Sequence, residues 1–386
     1  MPIARRAGMA GLSLVELMVA MAISLILLLG VVQVFSASQA ASRLSEGASR
    51  VQENGRFALD FLQRDIRMAG HMGCVNDQAH LIKNQGDPVS HLGATLGDGS
   101  PLDFGVSIQG YEAPGTAPTD TLTLGGDWAV PEGLPTSISG LVPAPAGGSD
   151  VLVLRYLAPE GVPVTAIDAS SGNSVLDMDS DSVARLTSGG VGDPTLFGLA
   201  DCGHADVFAG GLSGARVTAT GVDLSRYTAQ PTGQTMLYRA ESMVYYIGLN
   251  PDTNEPGLRR ARADDSGDYS INEELVEGVE SLQLMYGLDT TDDIGLVTPP
   301  AGNLTEQGTA SQVSTDASAS GAAQWLRVGQ VQVGLLMRSP NPSSSVKASN
   351  GPAALGVTFQ PGDSNDGRYR TSYEVTIALR NRLFGN

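Results

Sequence analysis

The sequence predicts an α+β protein in which one long N-terminal helix packs on a large antiparallel β-rich domain. Three observations carry this. An apolar stretch from Leu17 to Phe35 is bare of charge, residues 12–87 contain no proline, and the chain after Gly70 breaks into short β-like runs. Those runs are separated by clusters of glycine, proline, serine and aspartate, as strands between turns should be.

The helix comes first. Leu17 to Phe35 is 19 residues, about 29 Å at 1.5 Å per residue, which matches a bilayer core of roughly 30 Å. After Glu16 no charged side chain occurs until Arg43. Arg5 and Arg6 precede the stretch and should hold the short leader in the cytoplasm, with all that follows on the other side. A secretory signal peptide would have a shorter apolar stretch with the small-residue cleavage site after it. Here the small-residue pair Ala10-Gly11 lies before the apolar run, so the removable part is the basic leader and the helix stays. Beyond residue 35 the pattern turns amphipathic. Leu59, Leu62, Ile66 and Ala69 recur at helical spacing beside Phe57 and Phe61, while Asp60, Arg64, Asp65 and Arg67 fill the other faces. Gly70 is the expected stop.

The strand candidates follow in order: 120–124, 150–156, 217–220, 236–247, 279–286, 325–337 and 372–379. In the sixth, Val328, Gln330 and Gln332 alternate with Val331, Val333 and Leu335, predicting a sheet with one dry face. Residues 299–323 and 339–352 are rich in small and polar residues and read as loops. The expected organisation is a leader at 1–11, a membrane helix at 12–35, its amphipathic continuation at 36–70 and a β-rich extracytoplasmic domain at 71–386.

Composition narrows the function. With 41% apolar residues in 386 the chain has ample core. Its 23 basic and 41 acidic residues give a net charge of −18, which argues against nucleic-acid binding. Four histidines, at 71, 80, 91 and 204, show no metal-ligand spacing, and no nucleophile elbow or phosphate loop is present. No catalytic residue, metal or cofactor is nominated. Asp177, Asp179 and Asp181 resemble the start of a calcium loop, but Ser182 and Ser188 stand where it needs glycine and glutamate. A solvated acidic turn accounts for them better. The cluster Asp264, Asp265, Asp268, Glu273 and Glu274 has calcium-type oxygens without a ligand spacing. Arg259, Arg260 and Arg262 read as a solvated strand edge. Cys74 and Cys202 are the only cysteines. In an extracytoplasmic domain they favour a disulfide, with two unpaired buried thiols as the alternative.

Glu16 is the informative anomaly: a carboxylate near the start of a membrane helix is costly at depth, and by itself it reads equally as reaching the headgroups or as serving a function. The arrangement Gly11, then Leu12-Ser13-Leu14-Val15-Glu16, resembles the class III leader of type IV pilins and pseudopilins. That resemblance implies cleavage between Gly11 and Leu12 by prepilin peptidase, N-methylation of Leu12, and pairing of Glu16 with an α-amino group in the filament. Two departures stand out. Leu12 replaces the usual phenylalanine, and no proline lies near Gln33, so the helix melting attributed to that proline does not carry over. Gly30 is the only loosening element there.

Further stretches narrow the likeness. Residues 12–74, ending VQENGRFALDFLQRDIRMAGHMGC, resemble the PilW family of minor pilins. So do Asp201-Cys202, Glu277–Tyr286, Leu335–Ser339 and Ala378 to Asn381. The likeness is close over the first 74 residues and patchy after them. It implies a pilin-like fold and an inner-membrane subunit that primes type IV pilus assembly. The implied partners are other minor pilins, the major pilin and a large tip adhesin, with no catalytic residues. A minor pseudopilin of type II secretion is the nearest rival, and an adhesin or ligand-binding module on a pilin stalk is the rival from another class.

Overall fold

The computed structural model describes residues 13–75, 88–290, 303–343, 351–362, 366–379 and 381. Helix α1 (Leu14–Met68) runs unbroken for 55 residues, about 82 Å. No proline interrupts it, and it ends where the sequence predicts. Gly70 has φ 75°, a conformation only glycine adopts freely. Its N–H donates to the Arg155 carbonyl at 3.2 Å, turning the chain onto the sheet.

The amphipathic half differs in detail from its prediction. The buried stripe is Gly47, Val51, Gly55, Ala58, Leu62, Asp65 and Ile66. Leu62, Ile66 and Ala69 face inward as expected and Leu59 is half-buried, whereas Phe57 points outward, 51% exposed. Asp65, expected on a solvated face, is 5% exposed. Small residues occupy the upper part of the stripe because the domain comes close there, through the segment after β10 at Gly47 and through β11 at Gly55. A side-chain carbon on Gly47 would sit 2.8 Å from the Ser343 Cβ, and one on Gly55 would sit 2.6 Å from the Tyr373 ring.

The β-rich part is built on two main sheets. The larger contains β1 (Ile108–Tyr111), β2 (Val151–Leu157), β3 (Val162–Asp168), β4 (Leu196–Ala200), β5 (Ala205–Ala209), β6 (Met236–Leu249), β7 (Pro256–Arg262) and β8 (Ile271–Glu277). The 14-residue β6 is its spine. The first residues of β6 pair with β3 and β4, its later ones with β2 and β7, all antiparallel. The second sheet orders Glu306–Gly308, β9 (Val279–Leu288), β10 (Val328–Arg338) and β11 (Arg370–Ala378). A small third sheet joins Thr121–Thr123 in parallel to Val357–Gln360. Helix α1 lies against both main sheets, and one apolar core joins Leu62 and Ile66 to Leu154, Tyr245, Leu284, Val333 and Ile377.

The dry face of β10 is as predicted for Val331, Val333 and Leu335. Val328 is buried too, because a register shift pairs Leu288 with Val328 but Gly287 with Gln330. The loop expected at 299–323 is corrected. Its described part holds Glu306–Gly308, helix α2 (Ala310–Val313) and most of helix α3 (Ala319–Trp325). Ala310, Val313, Ala322 and Trp325 are buried there, and the Trp325 ring meets Tyr286 edge-on at 5.1 Å. Of the loop expected at 339–352, residues 344–350 lie outside the described ones. Ser339 and Ser343 are buried beside Gly47.

Candidate functional site

Helix α1 has two halves of opposite character. Ser13 caps it: its Oγ accepts the Val15 N–H at 3.3 Å, and its own N–H donates to Glu16 Oε2 at 3.0 Å. This capping box places a carboxylate at the positive end of the helix dipole. Glu16 Oε1 has no partner among the described residues. From Leu14 to Glu46 every residue is exposed, with Leu14 72%, Ile26 70% and Phe35 62% exposed. An apolar surface of this length does not face water in a stable monomer. By length and composition the helix is able to cross a membrane. Gly11 and Leu12, the predicted cleavage site, lie outside the described residues.

The lower half is clamped by polar contacts set into the core. Asp65 Oδ2 accepts from Arg260 Nη1 at 3.0 Å and from the Tyr245 hydroxyl. Arg260 Nη2 reaches Glu273 Oε1 at 2.7 Å, which also accepts from Arg262 Nη1 at 3.1 Å. Burial and the neighbouring Asp65 carboxylate push the Tyr245 hydroxyl well above its usual pKa, so it stays a donor. The arginines at 259, 260 and 262 are thus ion-paired inside β7 rather than solvating an edge. Farther along the rod, Asn54 Nδ2 donates to the Glu277 carbonyl at 3.2 Å, and Asn381 Nδ2 to the Arg67 carbonyl at 3.0 Å. None of these partners adjoins the helix in sequence, and the charge pattern alone gave no sign of the buried pair.

Cys74 and Cys202 form a disulfide. It ties the segment just after α1 to the turn between β4 and β5, where Asp201 Oδ1 accepts the Gly203 and His204 N–H groups, both at 2.7 Å. His71 Nδ1 lies 2.7 Å from the Leu157 carbonyl, a second tie on the same segment.

The acidic stretches are drawn into other work. Asp177 pairs with Arg216 at 2.6 Å, and Glu274 with Arg259 at 3.1 Å. His91 meets Asp206 at 2.6 Å, and His80 lies outside the described residues. No group of three or more His, Cys, Asp or Glu able to hold a metal occurs among the described residues.

Residues 244–381 match the Type IV Pilus-assembly protein W family, and residues 6–32 match the prokaryotic N-terminal methylation motif. No curated protein and no solved structure matches the chain. The first match runs from β6 through β11, the part of the fold that supplies Tyr245, Arg260, Glu273 and Tyr373 to α1. The second covers the leader, Glu16 and much of the exposed half-helix. Both families point to a structural component of a pilus, anchored in a membrane through its N-terminal helix. These matches and this architecture support a PilW-like type IV pilin.

Proposed function

We propose that this protein is a minor pilin that primes type IV pilus assembly and enters the pilus near its tip with other minor pilins and a tip adhesin. The observation that carries the reading is the division of α1. An exposed apolar half is ready for lipid or neighbouring helices, and it is rigidly continuous with a half bolted to a folded domain. A subunit that must leave the bilayer and join a helical bundle needs both. In this reading prepilin peptidase cuts between Gly11 and Leu12, Leu12 is N-methylated, and the β-rich domain faces the periplasm before export. Glu16 then exchanges its contact with the Ser13 N–H for an α-amino group. A charged pair is favoured there because an isolated carboxylate among packed apolar helices is costly. The match over 244–381 supports a pilus over a secretion pseudopilin.

Mass spectrometry of the chain from membranes and from sheared pili tests the proposal. A mature chain starting at methylated Leu12, present in the sheared fraction, is expected. An intact Met1 start with no sheared fraction would remove the pilin mechanism. Glu16→Ala is expected to leave membrane insertion intact and to reduce incorporation into filaments at least several-fold. Normal incorporation would refute the pairing role.

A further inference from the structure

Strand β11 closes the second sheet, and among the described residues no strand pairs with its outer side. It meets β10 in unbroken antiparallel register, from Arg370 opposite Arg338 to Ala378 opposite Gln330. The Leu379 N–H donates to the Gly329 carbonyl at 2.9 Å, and the Ser339 N–H to the Tyr369 carbonyl at 2.8 Å. Odd-numbered residues therefore hold the ladder. The N–H and C=O groups of Ser372, Glu374, Thr376 and Ala378 point the other way. They recur about every 7 Å, and none has a hydrogen-bond partner among the described residues.

This edge is unlike the others. The remaining outer strands among the described residues have two to four residues, save the seven-residue β8, which carries Glu273, Glu274 and Glu277. Edges are ordinarily kept short, charged, bulged or broken by proline, because an open one is a template for another strand. Strand β11 runs for nine residues without proline, lysine or bulge. Its two charged side chains are engaged within the chain. Arg370 pairs with Glu280 and Asp366, both at 2.6 Å, and Glu374 Oε1 accepts the Leu355 N–H at 2.8 Å.

The side chains give a second, independent sign. Tyr373 and Val375, on the face toward α1, sit at the rim of the main core and stay half-buried, whereas Ile377 on the same face is buried. Glu374, Thr376 and Ala378 on the opposite face are exposed. The uncovered surface is thus a row of backbone donors and acceptors with incompletely covered apolar groups along one side. Its complement is an extended strand that alternates apolar and polar residues.

The direction of β11 decides whose strand this is. Gly47 lies by Ser339, whose N–H bonds Tyr369; Gly55 lies by Tyr373, and the Arg67 carbonyl by Asn381. Strand and helix α1 therefore run the same way. A second copy joined edge to edge about a two-fold axis would pair antiparallel, and its apolar half-helix would point in the opposite direction. Two chains anchored in one membrane are not able to meet like that. We propose that the outer edge of β11 receives an extended strand from a different protein, which lays alternate apolar residues beside Tyr373 and Val375. Main-chain bonds supply the affinity and the alternate side chains the selectivity. The proposal uses the membrane helix but not the priming role.

The test is fluorescence anisotropy with the full-length chain in detergent. The probe is a labelled peptide of alternating threonine and valine, N-methylated at each threonine so that only one of its edges stays open. The same peptide N-methylated at every residue is the comparison, and should bind at least about tenfold more weakly. Thr376→Pro removes an outward N–H and should weaken the probe at least about fivefold. Thr376→Lys keeps that N–H and should change binding less than about twofold. The Thr376 N–H makes no bond in the fold, so both variants should keep the parent's denaturation midpoint. Ala378→Pro, at the next outward position, repeats the measurement if Thr376→Pro falls short of that midpoint. Absence of probe binding, equal binding of the fully methylated peptide, or equal weakening by Thr376→Lys and Thr376→Pro would overturn strand addition. Dimers of the chain in sedimentation that Thr376→Pro dissociates would assign the edge to a second copy and overturn the choice of partner.

Discussion

Removing the carboxylate of Asp65 should loosen the junction between α1 and the domain by an amount the contacts let one estimate. In Asp65→Asn the amide oxygen still faces the Tyr245 hydroxyl and Arg260 Nη1, but the charge is gone. Arg260 keeps Glu273 through Nε and Nη2, so it is not left wholly unpaired. The loss is then that of charge-assisted hydrogen bonds, about 2–3 kcal/mol. Arg260→Leu is harsher. It leaves Asp65, 5% exposed, with only the Tyr245 hydroxyl, and removal of one member of a buried pair costs about 3–5 kcal/mol. Replacing all three at once, as Asp65→Leu/Arg260→Met/Tyr245→Phe, leaves no orphaned polar group on the helix side and should cost less than either single change. Urea unfolding of the full chain in detergent gives the ranking. Amide exchange across Val51–Ile66 reports whether the helix is what loosens. The reasoning fails if Asp65→Asn lies within about 0.5 kcal/mol of the parent, or if the triple variant is as unstable as Arg260→Leu.

The other predictions are shorter. Cys74→Ser/Cys202→Ser opens a covalent loop of 128 residues and should lower stability by about 4–5 kcal/mol from chain entropy; an unchanged denaturation midpoint would contradict this. Burial works to raise the Asp366 carboxyl, but Arg370 and the Arg368 N–H outweigh it and hold the group at about 2. Its folded value is depressed, so its contribution is full above the unfolded value near 4 and is lost as pH falls from there toward 2. Its side chain is 40% exposed, so screening should limit the effect to about 1 kcal/mol or less. Unfolding curves from pH 5 to pH 2 should fall less steeply in Asp366→Asn, and identical slopes would count against the pairing.

Much of the architecture was legible because it rests on local signals. The uncharged run after Glu16, the lack of proline to residue 87 and the glycine at 70 predict the rod and its end. Alternation predicts Val331, Val333 and Leu335 on one face, and two lone cysteines predict their own bond. What stayed hidden depends on distant partners. Asp65 reads as a solvated helix charge because its cation, Arg260, is 195 positions away. The arginines of β7 read as an edge because the carboxylates that neutralise them arrive from β6, β8 and α1. Gly47, Gly55 and Ala58 carry no hydrophobic signal, yet all three are buried, and at Gly47 and Gly55 the domain leaves no room for a side chain. Residues 303–325 look like loop over most of their length because their burial is done by alanine, valine and one tryptophan in short turns of helix.

The placement of the clamp suggests what a polar contact does that an apolar one would not. Apolar side chains on a cylinder tolerate small rotations, whereas Asp65 meets Arg260 and Tyr245 only at one azimuth. Glu16 stands 49 residues up the same rod, about 73 Å away. The angle fixed at Asp65 therefore sets the face on which the Glu16 carboxylate emerges. On this argument the buried pair contributes register more than stability, the best-attested use of such groups. The triple apolar variant separates the two roles. If register matters, it should stay folded, insert in the membrane and still enter sheared pili poorly. Normal incorporation would show that any firm attachment of α1 suffices.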